Sequence, residues 1–237
     1  MIRNTMTFER NRIAVISPVL KTDAIDVKAT LRPFCDLSLR IENFFLDEGP
    51  AAIETDSDVA ACLPGLLATA ARLARDDWQA FVINCMCDPG LIELRAAHRT
   101  PVFGPAETSM RAIASSGARF SVLDIVAEGR ELVERQVRCY GVASLYVSHH
   151  SIEMPVLELF RFPVDTLAAL ETIALAALKE GAETLLLGCT GLAELARSLR
   201  VRLQERGFSA PVVEPLGTTL AVARALLGAG VLRTSAP

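Results

Sequence analysis

The sequence is poor in histidine and has no long apolar run, and each scarcity removes a class of function. Its three histidines, His98, His149 and His150, stand at no ligand spacing from one another or from Cys189. A zinc site begun by Cys85 and Cys87 would therefore lack its remaining ligands, and no metal is expected. The most apolar region, 166–187, is interrupted by Glu171, Lys179, Glu180 and Glu183, short of the roughly 18 unbroken apolar residues of a membrane helix. A soluble chain that uses no membrane is expected. No long basic cluster is present and the formal net charge is −4, which argues against a nucleic-acid surface and leaves a small molecule or another protein as partner. The N-terminal MIRNTMTFERNR carries charge without an apolar core behind it, so export is not expected. The six cysteines, Cys35, Cys62, Cys85, Cys87, Cys139 and Cys189, lack the close spacing of a disulfide framework and fit a reducing cytoplasm.

What is present is an alternation. Short β-rich runs at 12–17, 39–46, 80–84, 120–125, 143–147, 183–188 and 211–215 are separated by stretches of helical length at 57–75, 88–97, 106–116, 127–139, 164–180, 191–205 and 216–227. That order predicts an α/β fold with parallel sheets. Residues 80–91 and 183–196 repeat one plan of strand, cysteine, turn and helix, which predicts two similar α/β domains facing each other across a pseudo-twofold. The first is expected to comprise residues 10–105 plus 211–237, and the second 106–210.

The two repeats read FVINCMCDPGL and LLLGCTGL. A cysteine at a strand end is ordinarily core packing. Here, however, Asp88 and Pro89 read as the N-cap and first position of a helix, which would hold Cys85 near a helix N-terminus and favour its thiolate. Cys189 has Gly188 before it and Thr190 and Gly191 after it, so close backbone approach and free amides are expected there too. Ligands bind at such strand-to-helix corners of parallel sheets. Two thiols at equivalent corners suit one chemistry, removal of a proton from one face of a carbon and return of another to the opposite face.

These residues carry a resemblance. GPAAIETDSDVAACLPGLL, CMCDPGL, PVFGPAE, MPVLEL, LGCTGL and PVVEPLG resemble segments of the aspartate/glutamate/hydantoin racemase superfamily, in particular its hydantoin and allantoin racemase branch. The resemblance implies an active site between two α/β domains, a cofactor-independent racemase or epimerase, Cys85 and Cys189 as acid and base, and a homo-oligomer. Around the thiols it implies substrate contacts from Ser17, Pro18, Ile53, Met86, Cys87, Glu107, Asp124, Thr190 and Gly191.

Three places depart from the family's pattern. Ser17, Pro18 and Val19 stand where it has Asn-Pro-Asn, Met86 and Cys87 where the branch has an aromatic residue and glycine, and Asp124 where a threonine is usual. Asp124, with the apolar Met86 and Leu192, disfavours a charged α-carboxylate, so a neutral hydantoin-like or allantoin-like ring is expected. Arylmalonate decarboxylases keep only the second cysteine, so Cys85 weighs against decarboxylation. A maleate isomerase-like activity, an amino-acid racemase, and a non-catalytic ligand-binding or redox-responsive member of the fold are the alternatives. Cys87 is expected to pack behind the turn, and His149 and His150 to be solvated on a loop. Glu107 is equally explained by the helix dipole.

Overall fold

The computed structural model describes residues 11–22, 27–36, 38–159 and 161–232. Residues 10, 23–26, 37 and 233–237 of the expected first domain and residue 160 of the second lie outside them. The first half runs β1 Asn11–Leu20, α1 Lys28–Leu31, β2 Leu39–Leu46, α2 Asp56–Leu73, β3 Ala80–Ile83, α3 Leu91–Ala97 and β4 Val102–Phe103. Helix α4, Pro105–Ala114, leads into β5 Phe120–Asp124, α5 Gly129–Cys139, β6 Tyr146–Ser151, α6 Val156–Leu159, α7 Pro163–Lys179, β7 Thr184–Leu187, α8 Leu195–Glu205 and β8 Val212–Val213, and α9 Pro215–Gly228 follows.

Both sheets are wholly parallel, and they share one plan: β2-β1-β3-β4 in the first and β6-β5-β7-β8 in the second. In each, the first strand in sequence lies inside and the second at an edge. The inner strands β1, β3 and β7 carry unbroken apolar runs because both faces are covered by helices, while β5 admits a buried Ser121. Ile13 to Ile16, Ala80 to Ile83 and Leu185 to Leu187 are completely buried.

The halves exchange their closing helices. Helix α4 follows the first sheet in sequence, yet Ala106, Met110 and Ile113 pack with Phe120, Val122 and Leu186 of the second. Helix α9 follows the second sheet, yet Leu216, Leu220 and Ala223 pack with Ile13, Val15, Ala80 and Val82 of the first. The two helices touch, and the Ser109 hydroxyl donates to the Pro215 carbonyl at 3.4 Å. The return to the first half thus comes later than residue 211: Val212 and Val213 still pair with Leu185 and Leu186.

Other boundaries differ from the sequence reading for identifiable reasons. Strand β6 extends through Ser151, so His149 and His150 are strand residues, paired in register with Val122 and Leu123. Helix α3 starts at Leu91 with Gly90 at its N-cap, left-handed at φ 64°, and Asp88 is itself left-handed at φ 48°. Helix α2 begins with a capping box: the Thr55 hydroxyl accepts from the Asp58 amide at 3.2 Å, and the Asp58 carboxylate accepts from the Thr55 amide at 2.9 Å. The reciprocal bonds fix the path of residues 53–55. No helix among the described residues is long and apolar enough to cross a membrane.

Candidate active site

Cys85 is the second residue beyond β3 and Cys189 the second beyond β7. Because these strands hold equivalent places in matching sheets, both thiols emerge at carboxyl ends and line one cavity of about 730 Å³ between the halves. Ser17, Pro18, Ile53, Met86, Cys87, Asp124, Thr190 and Gly191 line the same cavity. Of the substrate contacts implied by the resemblance, Glu107 alone lies off its wall. Glu107 instead pairs with Arg95 at 2.6 Å and Arg111 at 3.1 Å.

Bonds between the halves hold the corners. The Thr190 hydroxyl donates to the Asn84 carbonyl at 3.5 Å, tying the residue before one cysteine to the residue after the other. The buried Gln136 amide of α5 donates to the Met86 carbonyl at 2.8 Å. Glu54 accepts from the Val156 amide at 2.7 Å, closing another side of the cavity. Beneath the first corner, Asn84 donates to the Ser17 hydroxyl at 3.0 Å and Ser17 donates to Asn43 at 2.9 Å. Ser17 therefore supports the corner through this chain as well as lining the cavity.

Asp88 does not cap the helix that follows it. Its carboxylate reaches across to α4 and accepts the amides of Ala106 at 3.1 Å and Glu107 at 2.8 Å, with the Tyr140 hydroxyl at 2.8 Å. The left-handed backbone at Asp88 and Gly90 turns the chain so that this carboxylate points to the exchanged helix, and Gly104 leaves it room: a Cβ there would fall 2.4 Å from the Asp88 carboxyl carbon. Burial pushes the Asp88 carboxyl up to about 7, against the pull of those donors.

The thiols are not activated at rest, contrary to the helix-terminus expectation. Burial pushes Cys189 up to about 12, with the Gly191 amide pulling the other way and the charges of Asp124, Cys87 and Glu54 adding to the rise. The Gly191 amide lies 3.4 Å from the Cys189 sulfur. Cys85 is held well above the ordinary thiol range, first by the hydrogen bond it shares with the Cys87 side chain, then by burial and the charges of Cys87 and Cys189. For Cys85 the physical reason is that α3 begins only at Leu91, too far along for its dipole to offset an enclosed site; at Cys189 the turn Thr190–Leu192 starts at once, but burial outweighs its Gly191 amide. Cys87 faces the cavity beside Cys85, and does not pack behind the turn.

The histidines are not a solvated loop pair. His149 is 1% exposed, and its Nε2 lies 3.1 Å from Asp124; His150 bonds Glu180 at 2.9 Å. Asn84, Asn43, Gln136 and Glu54 belong to the site's surroundings and are not singled out by the sequence. Asn84 alone carried a local signal, its place directly before Cys85 at a strand end; the others are brought in from distant elements.

The model of the Asp/Glu/Hydantoin racemase family matches residues 26–225. A hydantoin racemase of Rhizobium meliloti is 31% identical over 182 residues, spanning 76% of this chain and 73% of its own. One from Paenarthrobacter aurescens is 33% identical over 187 residues, spanning 77% and 76%. Among solved structures, an allantoin racemase from Klebsiella pneumoniae superposes with a TM-score of 0.84 at 26% identity, covering 95% of this chain and 90% of that one.

Proposed function

The chain belongs to the Asp/Glu/Hydantoin racemase family and is a racemase, and from that premise we propose that Cys85 and Cys189 are its acid and base on a hydantoin-like or allantoin-like substrate. The observation that carries the reading is the presence of both thiols, from equivalent strand ends, on the wall of one cavity. The named relatives act on hydantoins or allantoin, and a cavity of about 730 Å³ is ample for a small ring with one substituent.

In this mechanism one cysteine, as thiolate, takes the proton from the carbon α to a carbonyl, becoming a thiol and leaving a planar enolate. The opposite thiol gives its proton to the other face and becomes the thiolate. Substrate of the other hand reverses the roles. Ser17, Pro18, Ile53, Met86, Cys87, Asp124, Thr190 and Gly191 form the surrounding contacts. Donors fixed at these corners stabilise the enolate only as its charge develops, which lowers the barrier without tightening substrate binding equally. We also read the two halves as domains, and the six free thiols fit a reducing cytoplasm.

The test is polarimetry on single enantiomers of 5-substituted hydantoins and of allantoin, with the wild type and with Cys85→Ser and Cys189→Ser. The reading expects loss of rotation with the wild type and none above background with either variant, both retaining native circular dichroism. Racemisation surviving in both variants overturns it.

A further inference from the structure

The two-thiol chemistry leaves one built feature of the cavity unused, the buried Asp124–His149 pair. We propose that Asp124, held by His149, is a specificity-determining residue: it accepts an N–H that the substrate presents beside Cys189 and turns away a carboxylate at that place. The inference rests on reading the cavity as the racemase site.

Asp124 ends β5 and is 7% exposed, and what it exposes faces the cavity. One carboxylate oxygen accepts its neighbour Ile125's amide at 2.7 Å, and the other is 3.1 Å from His149 Nε2. Each oxygen retains a free lone pair after these bonds. The imidazole side chain is fully buried, and its Nδ1 has no partner among the described residues. A proton on Nδ1 would be a buried donor with nothing to meet it, so Nε2 is the nitrogen that donates to the carboxylate and holds it in place.

The space for this anion is built into the backbone. A Cβ at Gly129 would come within 2.4 Å of the Asp124 carboxylate, and one at Gly188 within 2.8 Å. Gly188 directly precedes Cys189, which brings the carboxylate to the second thiol; its charge is among those that oppose ionisation there. The rest of the wall does not compensate it. Among the described residues lining the cavity, two arginines, Arg130 and Arg135, stand against six carboxylates. Arg130 donates to the His149 carbonyl at 3.0 Å, and Arg135 lies 3.4 Å from Asp56.

In an enclosed site a second anion beside Asp124 costs far more than it would in water, whereas an N–H donor gains a charge-assisted hydrogen bond. The substrate class is therefore one whose reacting carbon is flanked by an amide, imide or ureido N–H and by no carboxylate.

The experiment compares two ligands with the same side chain: 5-benzylhydantoin, which presents ring N–H groups, and its ring-opened N-carbamoyl-phenylalanine, which adds a carboxylate. Calorimetric affinities are measured at neutral pH for the wild type, Asp124→Asn and Asp124→Thr. The wild type is expected to favour the hydantoin by at least about tenfold, the size of one charge-assisted hydrogen bond, and both variants to lose most of that preference. Equal affinities in the wild type, preference for the anion, no binding of either ligand, or an unchanged preference in a folded variant each overturns the proposal. Because binding is read, the two claims separate. Preference without α-proton exchange refutes the two-thiol chemistry and keeps this inference, while exchange without preference does the reverse.

Discussion

The hydroxyl of Thr190 donates to the carbonyl of Asn84 at 3.5 Å, so the turn that carries Cys189 is bonded to the turn that carries Cys85. Each bond of this kind contributes about 1 kcal/mol to stability, a small share of the total. Its larger consequence is positional, because proton transfer to opposite faces of one carbon requires both sulfurs to be placed at once. Thr190→Val is therefore expected to cost no more than about 1 kcal/mol in urea unfolding while lowering kcat/KM by roughly tenfold or more. Thr190→Ser, which keeps the hydroxyl, is expected to restore most of the activity. Equal, small effects of the two substitutions would mean that the bond does not hold the corners in register.

The pH profile follows from the resting thiols. Cys189 is pushed up to about 12 and Cys85 well above its ordinary range. At neutral pH both are protonated, and the competent form, one thiolate with one thiol, is scarce. Its fraction grows about tenfold per pH unit until the lower of the two values is reached. Log kcat/KM is expected to climb with a slope near one from about pH 6 to about pH 8, where hydantoin rings remain neutral. A profile flat across that interval would show that a thiolate is already present at rest.

Asp88 makes stability depend on pH. Its carboxyl is raised from 3.8 to about 7, chiefly by burial. The folded protein binds the proton more tightly than the unfolded chain does. That contribution is therefore complete below about pH 4 and disappears as the pH rises through about 7. Wild type is expected to lose stability relative to Asp88→Asn across this window, by at most about 4 kcal/mol. Urea unfolding of both proteins at several pH values gives the difference, and parallel curves would contradict it.

The sheets and the two cysteine corners are legible in the sequence because their signals are local: β1, β3 and β7, inner strands buried on both faces, carry unbroken apolar runs, and β3 and β7 each lead into a cysteine and a turn. Strand β6 was cut short because Ser148, His149, His150 and Ser151 carry no apolar signature, although the backbone still pairs with β5. Strand β4, Val102–Phe103, is too short to leave a pattern. Asp88 was read as a local cap, since nothing in CDPGL reveals that its backbone turns left-handed and sends the carboxylate to Ala106 and Glu107. The state of the thiols is hidden from the sequence for a related reason. A helix start near Cys85 is visible in the sequence, but the burial and the carboxylates that outweigh it, Asp124 and Glu54 beside Cys189, come together only in the fold. The Asp124–His149 pair joins two strands and had no local trace.

The central claim, proton removal on one face by one thiol and return on the other by its partner, is tested most directly by the isotope content of both enantiomers at low conversion in D₂O. One enantiomer of a 5-substituted hydantoin is incubated with the wild type, the enantiomers are separated on a chiral column, and deuterium at the α-carbon is read by mass spectrometry against an enzyme-free control. Two thiols acting on opposite faces predict deuterium in the inverted product and almost none in the recovered substrate. Equal deuterium in both enantiomers from the earliest times would mean that a single group serves both faces, and would contradict the account.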